Sequence, residues 1–167
     1  MKDLRISEYS MHNICLLLGS NIHPEANIRA AVRLLGNSCT IEKISSVWET
    51  TAMGSPGPNF LNLAILLKTD ALAAEFKENT IRIIEKDLGR VHLKDKNAPR
   101  TIDIDIIVFD NEVIDPSVWS TTHVALPVAE LLPDLVNPHN QLKLNSIAER
   151  LSQENPAKSQ QKFEFTN

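Results

Sequence analysis

The chain has 167 residues and a net charge of −4, with 43% hydrophobic and 23% charged residues; one domain of that size buries a sizeable core. The balance leaves no global basic field to hold nucleic acid or an anionic membrane, and Cys15 and Cys39 are too few for a disulfide framework or a cysteine-rich metal site. The N-terminus MKDLRISEYSMHN lacks a signal-peptide core, and the densest aliphatic run, ICLLL, is far short of a membrane span. The expectation is a single cytoplasmic, monomeric domain over 1–167, with a poorly ordered extension over 1–13 and a poorly ordered tail over 154–167.

NICLLLGSN (13–21) reads as a buried strand stopped by Gly19-Ser20-Asn21. Pro24 suits a first helical turn, Ile28, Ala31, Val32 and Leu35 follow at helical spacing, and Gly36 is the expected stop. Residues 38–51 read as one long strand, AMGSPGPN (52–59) as a loop, and FLNLAILLKT (60–69) as the next strand. Asp70 is a candidate cap for a helix over 71–88, with a core stripe of Leu72, Phe76, Ile83, Ile84 and Leu88 and Gly89 as its end. A basic loop, RVHLKDKNAP (90–99), leads into a strand from Ile102. A short strand over 112–114, a helical turn at 130–132 and a helix over 145–153 complete the series. The order β-α-β-β-α-β predicts an α+β domain with a ferredoxin-like core, helices packed on one side of a mainly antiparallel sheet.

PRTIDIDIIVFD (99–110) is the informative stretch. Asp is depleted in strands, yet Asp103 and Asp105 share one face of this one while Ile102, Ile104 and Ile106 take the other. Two like charges about 5 Å apart repel by roughly 3 kcal/mol at an effective dielectric near 20. Either the pair lines a solvated face beside basic partners, or it holds Mg²⁺, which favours one or two carboxylates plus waters and phosphates and keeps both ionised. The preceding loop supplies Arg90, His92, Lys94, Lys96 and Arg100. Arg90 and Arg100 stand at its anchored ends, and guanidinium groups grip phosphate oxygens in bidentate fashion. Carboxylates for a metal with fixed arginines around them are the parts of phosphoryl transfer. There is no Walker P-loop and no G-x-G-x-x-G.

A second candidate surface is TTAMGSPGPNFLN (50–62), where Phe60 has the shape to stack on a flat heterocycle and Asn62, two positions on, faces the same side. On spacing alone the plainer reading is favoured: Phe60 in the core, Asn62 at a strand edge.

Four stretches taken together shift that balance: LLLGSN (16–21), SSVWETTAMG…NFLNLA (45–64), IEKDLGR (84–90) and PRTIDIDIIVFDNEVID (99–115). They resemble the 6-hydroxymethyl-7,8-dihydropterin pyrophosphokinase family of folate biosynthesis. The resemblance implies a ferredoxin-like α+β fold and transfer of the β,γ-pyrophosphoryl unit of ATP to the pterin hydroxymethyl oxygen, releasing AMP. It implies two Mg²⁺ ions on Asp103 and Asp105, phosphate contacts from Arg90 and Arg100, and Glu85 near the ribose. It further implies a pterin pocket of Phe60, Asn62, Thr50, Thr51 and Met53. ATP and a reduced pterin are the expected partners.

The segment DPSVWSTTHVALP (115–127) departs from the family pattern. It is shorter, has no arginine, and sets His123 where the pattern has a second stacking Phe. Arg82 and His92 are the candidates to compensate on the ATP side. The same departure motivates two alternatives: a sister enzyme acting on another pterin alcohol, and a non-catalytic module that binds nucleotide or pterin.

Overall fold

A computed structural model describes residues 11–51, 57–91, 98–160 and 165. Its elements begin with β1 (His12–Ser20), α1 (Pro24–Ser38), β2 (Thr40–Ile44), β3 (Val47–Thr50) and β4 (Phe60–Thr69). There follow α2 (Ala73–Phe76), a π-helical turn (Lys77–Ile81) and α3 (Arg82–Asp87), and then β5 (Asp103–Phe109) and β6 (Glu112–Val113). A 3-10 turn (Pro116–Trp119), α4 (Thr122–Leu131), α5 (Leu144–Glu154) and β7 (Lys158–Gln160) complete the chain. Among the described residues seven strands form one antiparallel sheet in the order β6-β5-β1-β4-β3-β7, with β2 also on β4. This is an α+β fold.

Both faces of the sheet are covered, not one. β1 and β4 are nearly continuous aliphatic runs, as strands buried on both sides are. On the first face Ile14, Leu16 and Leu18 of β1 and Leu61, Leu63, Ile65 and Leu67 of β4 meet Ile28, Ala31 and Leu35 of α1 and Phe76, Ile81 and Ile84 of the second helical stretch. On the second face Cys15, Leu17, Ala64 and Ile107 meet Val124, Ala125 and Val128 of α4 and Ile147, Ala148 and Leu151 of α5. Pro127 stands inside α4; a proline breaks the helical sequence pattern, and only a turn at 130–132 is legible there. No helix among the described residues is long and apolar enough to cross a membrane.

Several local expectations shift for identifiable reasons. The strand expected over 38–51 is two strands, because Ser45 breaks the ladder: its N–H donates to the Ala64 carbonyl (3.0 Å), and its hydroxyl accepts from the Ala64 N–H (2.8 Å). Helix α1 runs past Gly36 to Ser38. Asp70 does not cap the next helix, which begins after Leu72 without a side-chain cap. The π turn carries one residue more than an α turn, so Phe76 is followed on the buried face by Ile81 and Ile84, while Leu72 and Ile83 of the expected stripe are 57% and 52% exposed. At the C-terminal end, α5 reaches Glu154 and Lys158–Gln160 pair with β3, where the sequence reading has a poorly ordered tail.

Candidate active site

The three central strands change character along the second face. Towards one end they present Cys15, Ala64 and Ile107 to α4; towards the other, the same alternation presents Leu17 and Gly19, Phe60 and Asn62, and Asp103 and Asp105. Register puts these side by side. Gly19 is paired with Asn62 on one flank and Asp103 on the other, and Leu17 with Asp105. These residues, with Thr50, Thr51, Arg100 and His123, line a cleft of about 220 Å³. Since a cavity of about 150 Å³ holds benzene, the enclosed part has room for a bicyclic ring, and a larger ligand would extend beyond it.

Gly19 is required by space. A Cβ there would stand 3.1 Å from Asn62 Oδ1. That amide is oriented from the other side, its Nδ2 donating to Thr50 Oγ1 at 2.9 Å. The buried polar residues of the GSN stretch serve the phosphate-side loop. Asn21 Oδ1 accepts from the Arg100 N–H (2.8 Å), the N–H groups of Asn21 and Ile22 both donate to the Arg100 carbonyl (3.2 Å each), and the Ser20 hydroxyl donates to the Thr101 carbonyl. The loop anchor that sequence reading saw only as a strand stop therefore fixes the backbone from which Arg100 reaches the cleft.

Arg100 pairs with Asp103, and its guanidinium lies 5.7 Å from the centre of the Phe60 ring, within cation–π reach. Arg90 approaches Asp103 from the opposite side at 3.4 Å. It owes its place to the end of α3. Gly89 adopts φ 75°, its N–H donates to the Lys86 carbonyl and the Arg90 N–H to the Glu85 carbonyl. That is the Schellman arrangement, in which glycine is favoured for its left-handed backbone. Arg90 Nε is buried without a hydrogen-bond partner among the described residues.

Glu85, 6% exposed, uses Oε1 to accept the Ile104 N–H at 2.9 Å. It therefore ties α3 to the middle of the D-x-D stretch. Arg82 faces outward, its side chain 60% exposed and paired with Glu78 at 2.7 Å, and it does not line the cleft. Met53 and His92 lie outside the described residues.

The two aspartates are unequal. Asp103 stands between two guanidinium groups. Asp105 is raised to about 6 by burial of its charge, then by Asp103, Asp115 and Glu85, with only Lys77 opposing. Asp115 was not among the sequence candidates; it also accepts the Ser117 N–H at the start of the 3-10 turn. His123, on the first turn of α4, is held below the ordinary imidazole value, chiefly by burial, and so enters the cleft as a neutral ring at pH 7.

No cluster of three or more potential metal-ligating His, Cys, Asp or Glu residues exists among the described residues. Mg²⁺ carried by a nucleotide does not need one, since one or two carboxylates suffice when phosphates and waters complete the shell. Asp105, an acid destabilised as an anion by three negative neighbours, fits a site completed by a divalent cation.

A layered α+β sheet with paired carboxylates, two arginines and a ring-sized recess in one cleft defines an enzyme built for phosphoryl-type group transfer. The chain belongs to the 7,8-dihydro-6-hydroxymethylpterin-pyrophosphokinase family, whose model matches residues 15–133. It is by class an ATP-dependent diphosphokinase. It is 35% identical over 138 residues to the 2-amino-4-hydroxy-6-hydroxymethyldihydropteridine pyrophosphokinase of Aquifex aeolicus, covering 77% of this chain and 85% of that one. Against the enzyme of the same name from Bacillus subtilis the identity is 37%, covering 72% and 79%. Among solved structures, a Plasmodium falciparum HPPK-DHPS with STZ-DHP superposes with a TM-score of 0.68 at 12% identity, covering 92% of this chain and 48% of that one. The chain thus spans about half of that structure, and the likeness supports the fold alone.

Proposed function

We propose that this chain transfers pyrophosphate from ATP to the hydroxymethyl group of 6-hydroxymethyl-7,8-dihydropterin in a Mg²⁺-dependent reaction. The hydroxyl oxygen forms a bond to the β-phosphorus, the bond from that phosphorus to the α,β-bridging oxygen breaks, AMP leaves, and the hydroxyl proton passes to solvent. The observation that carries this reading is the single cleft in which Asp103, Asp105 and Arg100 stand beside Phe60, Asn62, Thr50 and His123.

Asp103 and Asp105 would hold Mg²⁺, with two ions expected, and the metal would supply neutralisation of the phosphate charge. Arg100 and Arg90 are occupied with Asp103 in the ligand-free protein; cation binding to Asp103 frees both guanidinium groups for phosphate oxygens. Phe60 offers a face to the pterin, and the Asn62 amide, oriented by Thr50, reads its edge. His123 flanks the same ring as a neutral imidazole, suited to stacking or to accepting a hydrogen bond. Glu85 acts on this site by holding the strand that carries both aspartates.

The test is AMP release from ATP, expected only when the reduced hydroxymethylpterin is present. Asp103→Asn and Asp105→Asn should each lower the rate at least about 100-fold, a loss of roughly 3 kcal/mol of transition-state stabilisation. Full activity in both variants would remove the metal argument. His123 lining the cleft also favours a second reading, in which another pterin alcohol is the acceptor. Preference for hydroxymethyldihydropterin over a panel of alcohols would exclude it.

A further inference from the structure

The ring-facing wall of the cleft is built by Thr50 at the end of β3 and by Phe60 and Asn62 at the start of β4. On the opposite face of the sheet, directly between those two strand ends, sits the carboxylate of Glu49. Its Oε1 accepts from Asn59 Nδ2 at 2.7 Å and its Oε2 accepts from Gln160 Nε2 at 3.0 Å. Both oxygens are engaged, and the two hydrogen bonds hold Glu49 below the usual carboxylate range. Asn59 is the residue immediately before Phe60.

Gln160 comes from the far end of the chain. It reaches Glu49 because β7 adds to the outer edge of β3, with Val47 paired to Gln160, Trp48 to Ser159 and Glu49 to Lys158. An open sheet edge invites foreign strands; here the chain's own C-terminal strand occupies it. Further along, Phe165 packs against the core under α1 beside Ile41 and Ile44, a second anchor for the same segment.

We propose that Gln160 is a positioning residue for the alcohol pocket, acting through Glu49 on Asn59 and so on the ring of Phe60. The inference rests on the pyrophosphokinase reading for its effect on catalysis, while the mechanical link itself does not. A charge-assisted hydrogen bond fixes geometry more firmly than a neutral one, and the bridge ties the C-terminal strand to the side of the cleft away from Asp103 and Asp105. Loss of Gln160 therefore loosens the acceptor side and leaves the phosphate side in place.

The experiment uses the full chain carrying Gln160→Ala, Asn59→Ala or both. Amide hydrogen exchange is expected to quicken over 57–62 in Gln160→Ala and to stay unchanged over 103–109. In the AMP-release assay KM for the pterin alcohol should rise about five- to tenfold, while KM for ATP and kcat stay within about twofold. The double variant should be no worse than Asn59→Ala alone, as expected for residues acting in one chain of contacts. The proposal is overturned by unchanged exchange over 57–62, by a rise shared with 103–109, by both KM values rising together, or by additive effects in the double variant. Exchange is read without turnover, so absence of AMP release by the unaltered chain would refute the functional reading while the exchange result still decides this one.

Discussion

Replacing Asp105 with Asn is expected to make the ligand-free protein more stable while abolishing its reaction. Burial, Asp103, Asp115 and Glu85 together raise the Asp105 carboxyl from its ordinary 3.8 to about 6. A carboxyl raised by folding favours the fold when protonated. Its contribution is intact below about pH 4 and is lost as the pH climbs through 6. Full conversion of that rise would give about 3 kcal/mol. The side chain opens onto the cleft, and screening by solvent brings the figure to about 1 kcal/mol. For a chain of this size that is a gain in Tm of about 2–4 °C. Differential scanning calorimetry of the two proteins should show matching Tm values near pH 4 and a gap that opens between pH 5 and 7. Mg²⁺ with a non-hydrolysable ATP analogue should then raise Tm for the unaltered protein and not for the variant. A gain of equal size at every pH, or a loss at neutral pH, would refute the account of Asp105 as a repelled anion awaiting a cation.

Arg100→Ala removes a partner of Asp103 and the cation near the Phe60 ring. AMP release should fall about 10- to 100-fold, and Arg100→Lys should restore only part of it because a single ammonium lacks the bidentate fork. Glu85→Ala leaves the buried Ile104 N–H without its acceptor, and urea unfolding should register a loss of about 1–3 kcal/mol, whereas Glu85→Gln, which keeps an acceptor oxygen, should lose less. Gly19→Ala sets a methyl 3.1 Å from Asn62 Oδ1 and should raise KM for the pterin about tenfold through displacement of that amide; an unchanged KM would show that Asn62 does not read the ring.

Much of the site is legible because it lies on strands, where alternation is strict. The D-x-D pair, the F-x-N pair and the glycine opposite them all fall on one face for that reason alone. Ile28, Ala31, Val32 and Leu35 on α1 are buried as their spacing predicts. The helix leading to Arg90 defeats the same reasoning, because a π turn changes the period in mid-course and no residue type announces it. The burial of Glu85 is likewise invisible locally. A charged residue in an amphipathic helix reads as solvated, and only the neighbouring strand's N–H makes it an interior group. Asp115 acts on Asp105 through space, across ten positions of chain, and carries no local signature of doing so. The second layer of helices was hidden for a related reason: doubly buried strands announce a cover but not which segment provides it.

The extra residue in Lys77–Ile81 has a further consequence. Deleting one residue there would give a more regular helix, the change a designer would choose to idealise the scaffold. Yet each residue turns a helix by about 100°, so everything downstream would swing a quarter-turn or more. Glu85 would leave its strand, and Arg90 would be carried away from Asp103. The irregularity works as an alignment shim, and in this helix the count of residues is as much a part of the catalytic apparatus as their identity.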